Sequence, residues 1–273
     1  YLGNIYIKGK YITRDVEKGV YYLSLAANQN CPYAQYLLGV YYYDNKYTKR
    51  DISKSIYYFT LASNQNDKES QCYLGKIYYE GKYIEQDIDK AIKYFELSAN
   101  QQSYFFLGLI YLNKKFKQFD RNRAIRYLIM AADNGNFNSQ IFIAHCYLHG
   151  FFFLDKNIKK ASHYFYLSAI QGGYISSFIL AFIYTKGENG KRDINQAIHF
   201  YKESSNLNYK YAKNNLAVIY KNGIDTKKNF QYAIELFKEA IKLNCIVSMY
   251  NLSHLCFYEN IKDVEQRTII ELL

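Results

Sequence analysis

The sequence has little of what interrupts regular structure. It contains one proline and no tryptophan among 273 residues, against 33 tyrosines. With a single proline, almost no position is barred from a helix interior, and short connectors rich in Asn, Gly and Lys separate the apolar stretches. Hydrophobic residues make up 49% of the chain, enough to bury a core. The composition predicts an ordered, mostly helical protein.

Long apolar runs are also missing. No window approaches the length of about 18 apolar residues that a membrane-spanning helix needs. The first ten residues, YLGNIYIKGK, lack the charged leader and apolar stretch of a signal peptide. They already carry a motif that recurs later, so we expect the chain to be a piece of a longer protein.

Cysteines are few and irregularly placed. There are five, and no two have C-x-x-C spacing: Cys31, Cys72, Cys146, Cys245 and Cys256. A disulfide framework needs regular pairs, and a zinc site needs clustered ligands. We therefore expect reduced thiols in a reducing compartment, which favours the cytoplasm.

Signatures of catalysis are absent as well. The sequence has no phosphate-binding G-x-x-x-x-G-K-[ST], no dinucleotide-binding glycine motif and no G-x-S-x-G. His145 and His149 are four residues apart, but the zinc motif H-E-x-x-H needs glutamate where Cys146 stands. We interpret the pair as a polar helix face, and we expect a non-enzymatic protein without cofactor or metal.

What the chain does have is self-similarity with a period of about 36 residues. In each copy Leu or Ile precedes a small residue, and tyrosine follows three positions after that small residue. The small residues are Gly3, Gly39, Gly75, Gly108, Ala144, Ala181 and Ala217, and the tyrosines are Tyr6, Tyr42, Tyr78, Tyr111, Tyr147, Tyr184 and Tyr220. An eighth copy has Ser253 and Cys256 at these positions. The motif predicts one helix per copy, here called helix A.

A second motif keeps step with the first. Asp or Asn is followed by a small residue four positions later, and by an aromatic residue or Leu four positions beyond that. The Asp and Asn residues are Asp15, Asp51, Asp87, Asp120, Asn157, Asp193 and Asn229. Because these side chains cap the first free N–H groups of a helix, they predict the start of a second helix, helix B.

Each repeat is therefore a pair of helices. One pair cannot bury its apolar face alone, so the pairs must stack into a superhelix with a concave surface. We predict one repeat domain over residues 1–273, with approximate repeats at 1–31, 32–66, 67–101, 102–135, 136–172, 173–208, 209–244 and 245–273.

The two motifs, L-G-x-x-Y and D-x-x-K-A, resemble the Sel-one-like repeats, which are relatives of the tetratricopeptide repeat. Residues 87–91 read DIDKA, a full match to the second motif. The resemblance covers the whole chain. It implies an all-α, right-handed α-solenoid of tetratricopeptide-like helix–turn–helix repeats, which serves as a scaffold or adaptor. It also implies the lumen of the endoplasmic reticulum as an alternative compartment.

In this family helix A lines the concave face, which suggests a binding surface. Three helix-A positions, three before, one after and four after the small residue, form a stripe that varies between repeats; we call it the helix-A stripe. Its members are Tyr36, Val40, Tyr43, Cys72, Lys76, Tyr79, Phe105, Leu109, Leu112, Ile141, His145, Leu148, Phe178, Phe182, Thr185, Asn214, Val218 and Lys221. An exposed aromatic stripe would mark a binding site for a protein or peptide partner. The alternative is that these residues pack against neighbouring helices.

Two other functions stay open. The net charge is +11, and basic residues collect in the connectors between helices A and B: Lys8, Lys10, Arg14, Lys46, Lys49, Arg50, Lys114, Lys115, Lys117, Arg121, Lys186, Lys191, Arg192, Lys227 and Lys228. Such an edge would attract acidic partners or membrane surfaces, but it would also follow from an AT-rich coding sequence. We do not expect nucleic-acid binding, since no recognised module is present. Apolar residues near Ile269 and Leu273 suggest self-association of a structural array.

Overall fold

The computed structural model describes residues 1–9, 11–46, 49–190 and 192–258. The regular secondary structure in this part of the chain is all helical, with no strand, which confirms the predicted all-α class. The helices are α1 (Leu2–Lys8), α2 (Val16–Asn28), α3 (Pro32–Tyr43), α4 (Ile52–Ser63), α5 (Lys68–Glu80), α6 (Ile88–Ser98), α7 (Gln101–Leu112), α8 (Arg121–Asp133), α9 (Phe137–His149), α10 (Ile158–Ala169), α11 (Tyr174–Lys186), α12 (Ile194–Asn206), α13 (Lys210–Asn222), α14 (Phe230–Lys242) and α15 (Ile246–Tyr258). Odd-numbered helices are helices A, and even-numbered ones are helices B.

The chain divides into two compact units, Tyr1–Ser139 and Gln140–Leu273. The first holds α1 to α8 and the start of α9, and the second holds the remaining helices. In the first unit, helices A and B of each repeat from α1 to α8 pack on each other, and α2, α4 and α6 each pack on the helix A that follows. In the second unit, α11 packs on α12 and α13 on α14, and α10, α12 and α14 each pack on the following helix A. The extent of a single repeat domain over residues 1–273 stays a prediction.

Each helix B begins at the Asp or Asn of the second motif. Asp51, for example, accepts a hydrogen bond from the backbone N–H of Lys54 at 3.0 Å. The N–H of Asp51 itself donates to the carbonyl oxygen of Tyr42 in helix A at 2.9 Å. The seven caps all make both bonds, so the two motifs are joined through the backbone.

The motif tyrosine of helix A is also held through its ring. The ring of Tyr42 stacks on that of Tyr58 in helix B, with centroids 5.9 Å apart and an angle of 4° between the planes. The ammonium group of Lys54 also lies over the Tyr42 ring, 5.2 Å from its centroid. The same ring pair recurs as Tyr6–Tyr22, Tyr78–Tyr94, Tyr111–Tyr127, Tyr147–Tyr164 and Tyr184–Phe200. A cation also lies over the motif tyrosine in the third, fourth and fifth repeats: Lys90 over Tyr78, Arg123 over Tyr111 and Lys160 over Tyr147.

The small residue of helix A faces the aromatic residue or Leu of helix B. A Cβ atom on Gly39 would lie 2.4 Å from the ring of Phe59, and one on Gly75 would lie 2.6 Å from the ring of Phe95. In the second unit the corresponding small residues are fully buried: Ala144, Ala181 and Ala217. Close approach of the two helices requires a small residue here.

Buried glutamines connect consecutive repeats, a feature that the two motifs do not contain. The side-chain N–H of Gln35 donates to the carbonyl oxygen of Ala27 at the end of the preceding helix B, at 3.2 Å. Its oxygen accepts from Gln65, just after helix B of the same repeat, at 2.7 Å. The pair within one repeat recurs in the second unit, where Gln171 donates to Gln140 at 2.8 Å. Amide side chains thus satisfy polar groups that stacking buries.

The short fourth repeat is preceded by a shorter turn, which joins α6 to α7. Helix α6 ends at Ser98, and Ala99 takes a left-handed conformation with φ 47°. Asn100 then caps α7 directly by accepting from the N–H of Ser103 at 2.8 Å. The missing residues therefore come from the turn between the two helices.

Candidate functional site

In the first unit the helix-A stripe runs over α3, α5 and α7, whose neighbours contact each other directly. Tyr36 and Tyr43 of α3 both contact Tyr73 of α5, with ring centroids 6.1 and 5.6 Å apart. Tyr79 of α5 contacts Phe106 of α7 at 5.5 Å. These stripe rings are half-buried. Each is covered in part by the following repeat and keeps a solvent-exposed edge.

Two cations lie beside these rings. The ammonium group of Lys76 is 5.7 Å from the ring centroid of Tyr43 and 3.7 Å from the carboxylate of Glu80. The guanidinium of Arg50 lies over Tyr43 at 5.6 Å and over Tyr83 at 4.7 Å, and it donates to the Tyr43 carbonyl oxygen at 2.6 Å. It also donates to the hydroxyl of Tyr83. Burial and the nearby Glu80 carboxylate raise the pKa of Tyr43, so this phenol stays neutral.

The remaining stripe residues of the first unit are mostly apolar. Val40, Phe105, Leu109 and Leu112 are half-buried. Cys72 is the exception, because it is buried, and this burial raises the pKa of its thiol. The structure thus brings the first-unit members of the stripe together on one surface that is partly exposed, aromatic and aliphatic.

A pocket of about 200 Å³ opens beside this surface, between α1, α2 and α3. Tyr36 and Val40 of the stripe line it, together with Ile7, Leu23 and Leu37. No motif in the sequence indicates this pocket, since it depends on which side chains three different helices bring together.

The second unit carries the rest of the helix-A stripe. His145 packs edge-on against Phe165 with centroids 5.1 Å apart, and it stacks on His149 at 6.0 Å. Burial, and then the charge of His149, lower the pKa of His145. Phe178 contacts Tyr209 at 5.1 Å. Phe182 is the most exposed of these residues, at 41%, whereas Ile141, Leu148, Thr185, Val218 and Lys221 are half-buried.

The polar end of the stripe is an internal contact. Asn214 is buried, and its side-chain oxygen accepts from Ser248 at 3.0 Å and from Asn251 at 2.9 Å. This asparagine joins α13 to α15. It is therefore less suited to contacting a partner than the apolar stripe residues.

Among the helical residues of the first unit, the most exposed rings lie on helices B. Tyr21 and Tyr57 are 60% and 59% exposed, and both stand six residues after their cap. The sequence analysis did not single out this position. The helical period could have indicated this exposed position, because a residue two positions before the buried aromatic residue or Leu of helix B points away from helix A.

Basic connector residues make contacts between neighbouring repeats. Lys117 pairs with Asp89 at 2.7 Å in the first unit, and Arg192 pairs with Asp225 at 3.2 Å in the second. Part of the positive charge in the connectors is therefore balanced within each unit. Lys10, Lys191 and the apolar residues from Ile269 to Leu273 lie outside the described residues.

Two further searches concern only the part of the chain that the structure describes. No group of three or more His, Cys, Asp and Glu side chains there could hold a metal ion. None of the described helices is both long enough and apolar enough to cross a membrane.

Comparison with known families gives a consistent match. Seven segments match the Sel1 repeat: residues 1–31, 32–67, 68–103, 101–136, 138–173, 176–209 and 210–245. No curated protein sequence matches the chain at a significant level.

Two solved structures resemble the chain over most of its length. One is c5321, a protective antigen from uropathogenic Escherichia coli with an SLR fold; it is 25% identical with a TM-score of 0.77, over 99% of this chain and 58% of its own. The chain thus spans less than two thirds of that protein. The other is a Sel1 repeat protein from Oxalobacter formigenes, 20% identical with a TM-score of 0.60, over 93% of this chain and 74% of its own. Both likenesses identify the fold as an α-solenoid.

Proposed function

The chain belongs to the Sel1 repeat family, and on that premise we propose that it binds a protein partner on the helix-A stripe of its first unit. Sel1 repeat proteins generally act as protein-interaction scaffolds. The observation that carries the proposal is the continuity of the stripe across α3, α5 and α7, whose part-exposed rings contact each other through Tyr73 and Phe106. Interfaces are enriched in such aromatic side chains.

The partner segment is expected to be partly acidic. Arg50 and Lys76 lie beside the rings of the stripe, and the whole chain carries a net charge of +11. A carboxylate from a partner would add to Glu80 in pairing with Lys76, while apolar side chains pack on the ring edges. Electrostatic attraction would mainly raise the rate of association.

The position one residue after the small residue offers a clean way to test the surface. It holds Val40, Lys76 and Leu109 on α3, α5 and α7. Because the third repeat already carries lysine there, Val40→Lys combined with Leu109→Lys should leave the fold intact. The matched control is Tyr57→Lys combined with Leu97→Lys, which adds the same charge at exposed helix-B positions.

The experiment is affinity capture from a lysate of the source cells, treated with nuclease. We expect at least one protein to be retained by the native chain and by the helix-B control, and to be lost by the stripe variant. Circular dichroism must show equal helicity in all three proteins. Equal retention by the stripe variant would refute this surface as the binding site.

We propose a non-enzymatic role in a reducing compartment. Sel1 repeat proteins are typically non-catalytic scaffolds. All five cysteines are free thiols, and burial raises the pKa of Cys146 to about 11, which keeps that thiol protonated. Unpaired thiols of this kind are usual in the cytoplasm.

Self-association is a second candidate, favoured by the last described helix. Tyr250 and Phe257 occupy stripe positions on α15, where they are 70% and 79% exposed. The same positions in the described parts of α3, α5, α7, α11 and α13 are half-buried or buried. A second copy would cover these rings. Sedimentation at increasing protein concentration tests this candidate: a rising mass supports it, and a constant monomer mass refutes it.

A further inference from the structure

The pocket between α1, α2 and α3 lacks side chains that the following repeats have. In the third repeat Tyr73 stacks on Phe59, with centroids 4.9 Å apart and an angle of 14° between the rings. In the fourth repeat Phe106 stacks on Phe95 at 5.1 Å and 11°. These rings fill the space between one helix A and the next.

The second repeat has no such ring pair. Leu37 stands where Tyr73 and Phe106 stand, and Leu23 takes the place of Phe59 and Phe95. Both leucines line the pocket of about 200 Å³. Two leucine side chains fill less volume than two stacked rings, and a space that is open to solvent lies beside them.

We propose that this pocket binds an aromatic side chain from an acidic segment of a partner protein. The occupant follows from the molecule itself, because the equivalent spaces in the next two repeats are filled by a ring. The size also fits, since an apolar cavity of about 150 Å³ admits benzene. Ile7, Leu23, Leu37 and Val40 supply apolar walls for the ring.

Two charged side chains at the pocket can hold the backbone and side chains of a bound segment. Lys8 and Asp44 both line the pocket and are exposed. Neither forms an ion pair with a described residue. Lys8 can therefore pair with a carboxylate beside the ring, and Asp44 can accept from a backbone N–H of the bound segment. The net charge of +11 draws acidic segments to the chain.

The inference rests on the proposed function, because the pocket shares Tyr36 and Val40 with the helix-A stripe. The two are still separable. Leu37 lines the pocket and is not part of the stripe, whereas Leu109 belongs to the stripe and does not line the pocket. Variants at these two leucines therefore test the two proposals independently.

The test uses two blocked pentapeptides as probes, Glu-Asp-Phe-Asp-Glu and the same peptide with Ala in place of Phe. Each is titrated into the full chain while the methyl signals of Ile7, Leu23 and Leu37 are followed by NMR. We expect the Phe peptide to shift these signals and the Ala peptide to bind at least tenfold more weakly. Leu37→Phe should place a ring in the pocket, as Phe106 does in its repeat. We expect this variant to keep its helicity and to bind the Phe peptide at least tenfold more weakly.

Lys8→Glu, an exposed substitution, keeps the test decisive if Leu37→Phe fails to fold. It should lower the affinity for the acidic Phe peptide several-fold. The affinity for a peptide with Gln and Asn in place of Glu and Asp should stay the same. Equal affinity of the Phe and Ala peptides would overturn the proposal, as would undiminished binding to Leu37→Phe or to Lys8→Glu. Leu109→Lys should leave peptide affinity unchanged, so failure of the capture experiment with intact peptide binding would remove the stripe proposal alone.

Discussion

At the scale of single residues, the repeat depends on pairs of side chains that lie far apart in sequence. The small residue of helix A and the aromatic residue of helix B were both recognisable from their period, but their contact with each other was not. Gly39 leaves room for Phe59, and Gln35 joins two repeats through its amide. The glutamine contacts could not be predicted, because a polar residue inside a helix normally indicates an exposed face.

Gly39→Leu tests the close contact. The added side chain would enter the space of the Phe59 ring, which lies 2.4 Å from a Cβ atom at this position. We expect the free energy of unfolding in urea to fall by about 1–3 kcal/mol. Ser53→Leu, at an exposed position of α4, is the control and should change stability by less than about 0.5 kcal/mol. Equal stability of the two variants would mean that Gly39 is not at a helix contact.

His145 gives a prediction about pH. Its pKa is lowered below 6.5 by burial and by the charge of His149, so the folded protein favours the neutral ring. The stabilisation is present above the pKa of the unfolded chain and is lost as pH falls through the lowered value. We expect the free energy of unfolding to decrease between about pH 8 and about pH 5, and to decrease less in His145→Gln.

Urea denaturation at both pH values measures the effect of His145. His163→Gln, which removes an exposed histidine of α10, is the matched control. Its free energy of unfolding should change with pH as much as that of the native protein. If His145→Gln and the native chain lose the same stability, burial of His145 does not contribute to the pH dependence.

At the scale of the helices, most of the fold followed from local signals. Every described helix B starts after an Asp or Asn that the sequence singled out, because a cap is decided by a few neighbouring residues. The exposure of the helix-A stripe could not be predicted in this way. Tyr36 and Tyr43 are half-covered because Tyr73 of the next repeat packs on both.

Two substitutions of Asp51, the cap of α4, distinguish the contribution of its hydrogen bond to the helix start from that of its ion pair. Asp51→Ala removes the acceptor for the Lys54 N–H, and we expect it to cost about 0.5–2 kcal/mol of unfolding free energy. Asp51→Asn keeps that bond, as Asn157 does in its repeat, and loses only the exposed ion pair with Lys54. Its cost should stay below about 1 kcal/mol. A larger loss in Asp51→Asn than in Asp51→Ala, measured in urea, would contradict this account of the helix start.

At the scale of the whole molecule, the period of about 36 residues and the two motifs that recur with it were enough to predict the family and its helical repeats. A partner could not be predicted, because a repeat motif describes the residues that stay the same, and binding depends on those that vary. The pocket at Leu23 and Leu37 illustrates this: two conservative changes from ring to leucine are unremarkable in sequence but leave an open space between α1, α2 and α3.

The most direct test of the stripe as a binding surface is hydrogen–deuterium exchange of the native chain with and without a captured partner. The account predicts slower exchange in segments of α3, α5 and α7 that carry Tyr36 to Tyr43, Lys76 to Tyr79 and Phe105 to Leu112. It predicts unchanged exchange around Tyr57 in α4 and around Leu97 in α6, on the exposed side of helices B. Protection confined to the helices B or to the basic connectors, with none in α3, α5 and α7, would contradict it.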